Sequence, residues 1–111
     1  MTRDEAYLRH ILDAVNRIHE YTTEGRNAFM RNKMMQDAVI RNLEIIGEAT
    51  KSLSLTLRAK NPSVPWSNMA AMRDVLIHNY MGVDLNIVWD VLQNRLSNVS
   101  VAIETILHEN V

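Results

Sequence analysis

Residues 66–82 read WSNMAAMRDVLIHNYMG. Met69, Met72, Leu76 and Tyr80 recur three or four apart, one face of a 3.6-residue helix. Pro65 suits the first turn, where a missing N–H costs nothing. Gly82 suits the residue just past the end, where φ must turn positive. The spacing predicts a helix from about Trp66 to about Met81. Immediately upstream, Asn61-Pro62-Ser63-Val64-Pro65 is a breaker, because two prolines within four residues cannot continue a helix.

The same period governs the rest of the chain. A first helix is expected over about Arg3 to Thr22, with Leu8, Ile11, Val15 and Ile18 on its stripe. Thr2-Arg3-Asp4-Glu5 has the form of a capping box. Thr23 to Asn27, with Gly25, reads as a turn. A second helix is expected over about Ala28 to Leu57, with Met35, Val39, Leu43, Ile46, Ala49, Leu53 and Leu57 as its stripe. Met34, Ala38 and Ile45 widen that stripe, and Gly47 suggests close approach of another helix. A last helix starts near Asp84, a good N-cap, and runs to about Glu109. Leu85, Trp89, Leu92, Leu96, Val99, Ile103 and Ile106 alternate in steps of four and three, the pattern of an a/d seam, and Val88 and Val91 widen it in the first half.

Composition agrees. Apolar residues make up 47% of the 111 residues and aromatic ones only 5%, with three Gly and two Pro, which favours a helical bundle over a sheet protein. The length suits one domain, spanning residues 1–111. With no Cys, disulfides, thiolate metal sites and Cys nucleophiles are excluded. The charged start MTRDEAYLRH does not fit a secretory signal, and no apolar run reaches the length of a membrane span. A soluble, cytoplasmic protein with no membrane partner is the expectation.

Net charge is −1, but it is unevenly spread. Residues 26–60 carry seven Lys or Arg against three acids, a surplus of four positive charges. Residues 1–24 and 61–111 are net acidic. The basic run, with Arg31, Lys33 and Arg41, either attracts phosphates or is a solvated helix face. His10 and His19 match no metal spacing and read as surface or half-buried histidines. Glu44 and Glu48, four apart, read as a solvated face or as partners for nearby Arg.

Chemistry concentrates at Arg73, His78 and Tyr80, a fixed cation, a proton carrier and a phenol within about two helical turns. Arg presents a planar fork to phosphate oxygens, and His moves protons near neutral pH. RNA carries its own nucleophile in the 2′-OH, so these two groups suffice for its cleavage. There is no P-loop, no Gly-rich dinucleotide turn and no Ser–His–Asp arrangement, so no organic cofactor is expected. On an ideal helix five steps turn roughly 140°, so Arg73 and His78 do not share a face, whereas the seven steps to Tyr80 return to within roughly 20°. Two copies meeting across a two-fold axis bring two Arg and two His together. The purely structural alternative pairs Arg73 with Asp74 or a Glu of the second helix and lets His78 cap the helix end.

The spacing Arg73-x4-His78-x-Tyr80 resembles the R-x4-H-x-Y signature of the HEPN superfamily, in particular its HepT-like toxin branch. Asp74 after Arg73, the Pro65-Trp66 start, the Tyr80-Met-Gly-Val-Asp84 exit and the segment RNLEIIGEATKSLS, Arg41 to Ser54, also look like that pattern. The resemblance implies an all-α, antiparallel four-helix bundle that forms a homodimer. It implies a metal-independent endoribonuclease with Arg73 and His78 catalytic and Asp74 a supporting polar residue. The toxin would belong to a type VII-like toxin–antitoxin pair, with RNA as substrate. It also implies a nucleotidyltransferase antitoxin of the MntA type that adenylylates Tyr80. The rival reading is a catalytically silent HEPN-like module that binds nucleic acid or nucleotide, or docks the antitoxin. A small coiled-coil adaptor is the remaining alternative.

Overall fold

The computed structural model describes residues 2–71 and 84–109, and these form an all-α bundle. Helix α1, Arg3–Tyr21, begins as the capping box requires: the Thr2 Oγ1 accepts the Glu5 N–H at 3.1 Å. Asp4 and Glu5 lie in its first turn, where the helix dipole favours anions. It buries Leu8, Ile11, Ala14, Val15 and Ile18. Each of the larger four contributes roughly 1.5–3 kcal/mol by leaving water. The chain turns at Gly25, whose φ of 90° is a conformation that side chains disfavour.

The single second helix expected over residues 28–57 is instead three: α2, Arg26–Arg31; α3, Lys33–Ser52; and α4, Leu55–Lys60. Asn32 causes the first break. Its backbone is extended and its side chain caps α3, accepting the Met35 N–H at 3.0 Å. The break lets Phe29 swing into the core, fully buried and with its ring centroid 5.3 Å from that of Trp89. The Phe29 carbonyl accepts a hydrogen bond from Nε2 of the buried Gln36 at 2.9 Å. Ser54 causes the second break, its Oγ accepting the Leu57 N–H at 3.1 Å. Asp4 of α1 holds it there, accepting from the Ser54 N–H at 2.9 Å and from its Oγ–H at 2.7 Å.

The expected stripe of α3 is buried at Val39, Leu43, Ile46 and Ala49, and Gly47 is buried with them. Met34 does not widen that stripe. It is 83% exposed, because Asn32 starts α3 afresh and turns its first residues outward.

After Asn61-Pro62-Ser63-Val64-Pro65 the chain is helical again from residue 66, and α5 is described over residues 66–71. The expected last helix is two: α6, Leu85–Asn94, and α7, Leu96–Glu109, meeting at Arg95 (φ −124°, ψ −37°). Hydrogen bonds continue on both sides, from the Arg95 N–H to Val91 and from the Val99 N–H to Arg95, so this is a kink rather than a turn. The expected seam runs through the kink, and only its start departs from burial. Val88, Val91 and Leu92 are buried before it and Leu96, Val99, Ile103 and Ile106 after it, while Leu85 and Trp89 are only half-buried.

Helix α1 packs chiefly on α3, with α7 also against α1 and α2 against α3. Asp4 meets Ser54 at one end, and further along Arg17 donates to the Asn42 Oδ1 at 3.5 Å, so α1 and α3 run antiparallel. Leu107 lines the same groove as Thr2 and Leu8, which sets α7 antiparallel to α1. No helix among the described residues is long and apolar enough to cross a membrane.

Candidate functional site

Arg73, Asp74, His78 and Tyr80 lie outside the described residues, as do Met72, Leu76 and Gly82. What the structure describes is how the chain approaches and leaves them. On the approach, Trp66 is buried and donates from Nε1 to the Asn61 carbonyl at 2.9 Å. Its own N–H reaches the Val64 carbonyl at 2.8 Å, and the Met69 N–H reaches the Pro65 carbonyl at 3.0 Å. Val64, Trp66 and Met69 are all core residues. An indole tied at its polar tip and packed along its apolar body fixes the start of α5 in orientation as well as position. On the exit, the Asp84 side chain accepts the N–H groups of Asn86 at 2.9 Å and Ile87 at 3.4 Å, the N-cap its sequence position predicts.

The basic run has a different character. Arg26 donates to the Asn86 Oδ1 at 2.7 Å and so ties α2 to the start of α6. Lys33 pairs with Asp37 at 3.2 Å, and Arg41 with Glu44 at 3.4 Å. Lys51 has an interaction of its own, and Arg58 has a buried Nε without a hydrogen-bond partner among the described residues. Arg31 and Lys60 remain exposed. Half-neutralised cations scattered over three helices make a weaker phosphate field than their number suggests.

The remaining candidates read as structural. His10 and His19 are exposed, and the Tyr7 and His10 rings meet edge-on at 5.8 Å. Glu44 serves Arg41, as one of its sequence readings allowed. No group of His, Asp and Glu among the described residues is arranged to hold a metal ion.

Sequence reasoning passed over Arg95. It lines two adjoining grooves beside the start of α5, both of which also touch Pro65 and Val99. One is mostly apolar and shallow, with Leu43, Ile46 and Met69, and has a volume of about 50 Å³. The other is more polar, with Ser63, Asn94 and Asn98, and has a volume of about 290 Å³. The available signal was charge isolation: Arg95 is the only Lys or Arg after Arg73.

A family model described as ribonuclease HepT-like matches residues 11–106, nearly the whole chain. The chain is a HepT-like member of the HEPN superfamily. Among curated relatives of this HepT-like chain, a Thermococcus cleftensis protein named as a probable ribonuclease HepT is 42% identical over 94 residues, covering 84% of this chain and 86% of its own. A Caldanaerobacter subterraneus subsp. tengcongensis protein, provisionally named an RNase, is 34% identical over 113 residues and covers 98% of both chains. A Methanocaldococcus jannaschii protein, named a gamma-glutamylcyclotransferase and provisionally an RNase, is 43% identical over 104 residues. That match takes in 93% of this chain but only 47% of the relative, so the chain spans about half of that longer protein. No solved structure gives a significant match.

Proposed function

We propose that this HepT-like chain is a metal-independent endoribonuclease toxin, a single helical domain working as a cytoplasmic homodimer. The observation that carries the reading is the R-x4-H-x-Y spacing of Arg73, His78 and Tyr80 in a chain that belongs to the HepT-like family. The relatives' names as RNases support the substrate class. In the proposed reaction the 2′-oxygen attacks the adjacent phosphorus, and the bond to the 5′-oxygen breaks. A 2′,3′-cyclic phosphate and a free 5′-hydroxyl result. His78 takes the 2′ proton or supplies the one the leaving oxygen needs. Arg73 stabilises charge growing on the phosphoryl oxygens, and Asp74 supports it. The angular separation of Arg73 and His78 on a helix favours a dimer, in which one His78 acts as base and its symmetry mate as acid.

Tyr80 is the regulatory position in this proposal. A cognate nucleotidyltransferase antitoxin transfers AMP from ATP to the phenol oxygen and releases pyrophosphate. The added phosphodiester brings negative charge and bulk beside a phosphate-binding cleft and opposes RNA entry. Tethered there, it also competes for Arg73 at high effective concentration.

The test is cleavage of single-stranded RNA by purified, unmodified protein in EDTA. Arg73→Ala and His78→Ala should each remove it with the thermal midpoint unchanged, whereas normal cleavage by either variant would remove the assigned roles. Light scattering should return about twice the 12.8 kDa chain mass. Intact-mass spectra after co-expression with the antitoxin should place AMP on Tyr80. AMP on Tyr7 or Tyr21 instead would refute the regulatory assignment.

A further inference from the structure

We propose that Arg95 is a phosphate anchor for single-stranded RNA, holding the strand across the two grooves beside the start of α5. The inference rests on the ribonuclease reading and adds a binding residue outside its motif. Four observations carry it.

First, Arg95 stands at the α6–α7 kink, where its exposed side chain borders both grooves at once. Second, among the described residues it makes no ion pair and no side-chain hydrogen bond, in contrast to Arg26, Lys33 and Arg41. Third, among the described residues no carboxylate lines either groove. The polar groups there are amides and a hydroxyl: Asn68, Asn94, Asn98 and Ser63. The nearest acid in sequence, Asp90, accepts the Asn94 Nδ2 at 2.6 Å. Fourth, the groove that reaches Lys60 is lined by Asp4 and Glu5 and is unsuited to an anion.

A planar guanidinium without a partner among the described residues, rimmed by groups that both donate and accept, fits a phosphodiester and its ribose hydroxyls. Asn68 borders the apolar groove and lies on α5, five residues before Arg73 in sequence, so a strand held here lies close to where the chain enters the motif.

The test uses the full chain and two fluorescent single-stranded oligonucleotides of one sequence. The 2′-O-methyl form cannot be cleaved and reports binding, and the ordinary RNA reports cleavage. Arg95→Gln should weaken binding of the 2′-O-methyl strand about tenfold and flatten the salt dependence of affinity by about 0.7 in log–log slope, the loss of one single-strand phosphate contact. KM should rise with kcat little changed, and Arg95→Lys should recover most of the affinity. Arg9→Gln, at an exposed position on α1, controls for net charge.

Equal losses in Arg9→Gln and Arg95→Gln would overturn the groove assignment. So would an unchanged salt slope, a fall in kcat at constant KM, or loss of a protein partner with RNA binding intact. Wild-type protein that neither binds nor cleaves RNA would instead overturn the ribonuclease reading itself. Wild type active with Arg95→Gln identical to it would overturn the Arg95 assignment alone.

Discussion

On the proposed reading, the basic run of residues 26–60 and the stretch from residue 61 onward divide the labour of this chain in the reverse of what charge alone suggests. The first holds seven of the twelve Lys and Arg residues, yet much of that charge is engaged within the protein. Arg26 ties α2 to α6, while Lys33 and Arg41 face their own helix's acids. The second is net acidic and holds just Arg73 and Arg95, yet it carries the family motif and the cation-bordered grooves. A binding site is a matter of unpartnered groups held in place, and the sum of charges along a segment does not report it.

Four substitutions sharpen or break this contrast. The largest effect belongs to His78→Ala, which should lower the RNA cleavage rate by ~10²–10⁴-fold, the worth of a general acid or base. Circular dichroism should find its fold and melting unchanged. Retained cleavage would move the chemistry out of residues 61–111. Next is Phe29→Ala in the basic run, which empties a fully buried site against Trp89 and should cost about 3–5 kcal/mol in urea unfolding. Below its melting transition it should cut RNA at the normal rate, and a specific catalytic loss would mean that this run does more than build the fold.

Ser54→Ala removes both the α4 cap and the partner of Asp4, and about 1 kcal/mol of stability should go with it. An undiminished midpoint would show that the break between α3 and α4 does not depend on the Asp4–Ser54 pair. The smallest effect is expected for Lys33→Gln. Its exposed pair with Asp37 is worth less than about 1 kcal/mol, and RNA affinity at physiological salt should barely move. A drop as large as that of Arg95→Gln would restore the basic run as an RNA surface and erase the comparison.

Several features of the fold were legible because their causes are local. Thr2 caps α1 through an atom three residues away, Gly25 turns the chain by its own φ, and Asp84 caps α6 within its first turn. Helix periodicity likewise identified Leu8, Ile11, Val39, Leu43 and Ile103 as core, since the faces of a helix follow from its pitch. The motif positions were legible as residue types at a spacing, and membership of the HepT-like family agrees with that reading.

What the sequence could not decide were events that depend on distant partners. Asn32 and Ser54 each sit in an apolar period that runs on past them. The first break accompanies the burial of Phe29 against Trp89, and Asp4, fifty residues away in sequence, holds the second. The kink at Arg95 is equally invisible in a heptad pattern, because apolar seam residues stay buried on both sides of it. Sequence by itself determined the helical class, the caps and the residue types available for chemistry, all of which act within a turn or two of chain. Only the tertiary structure decided where those helices break, which cations are spent on internal partners, and that Arg95 is left facing open grooves. Those outcomes depend on contacts between segments far apart in the chain, and no local pattern encodes them.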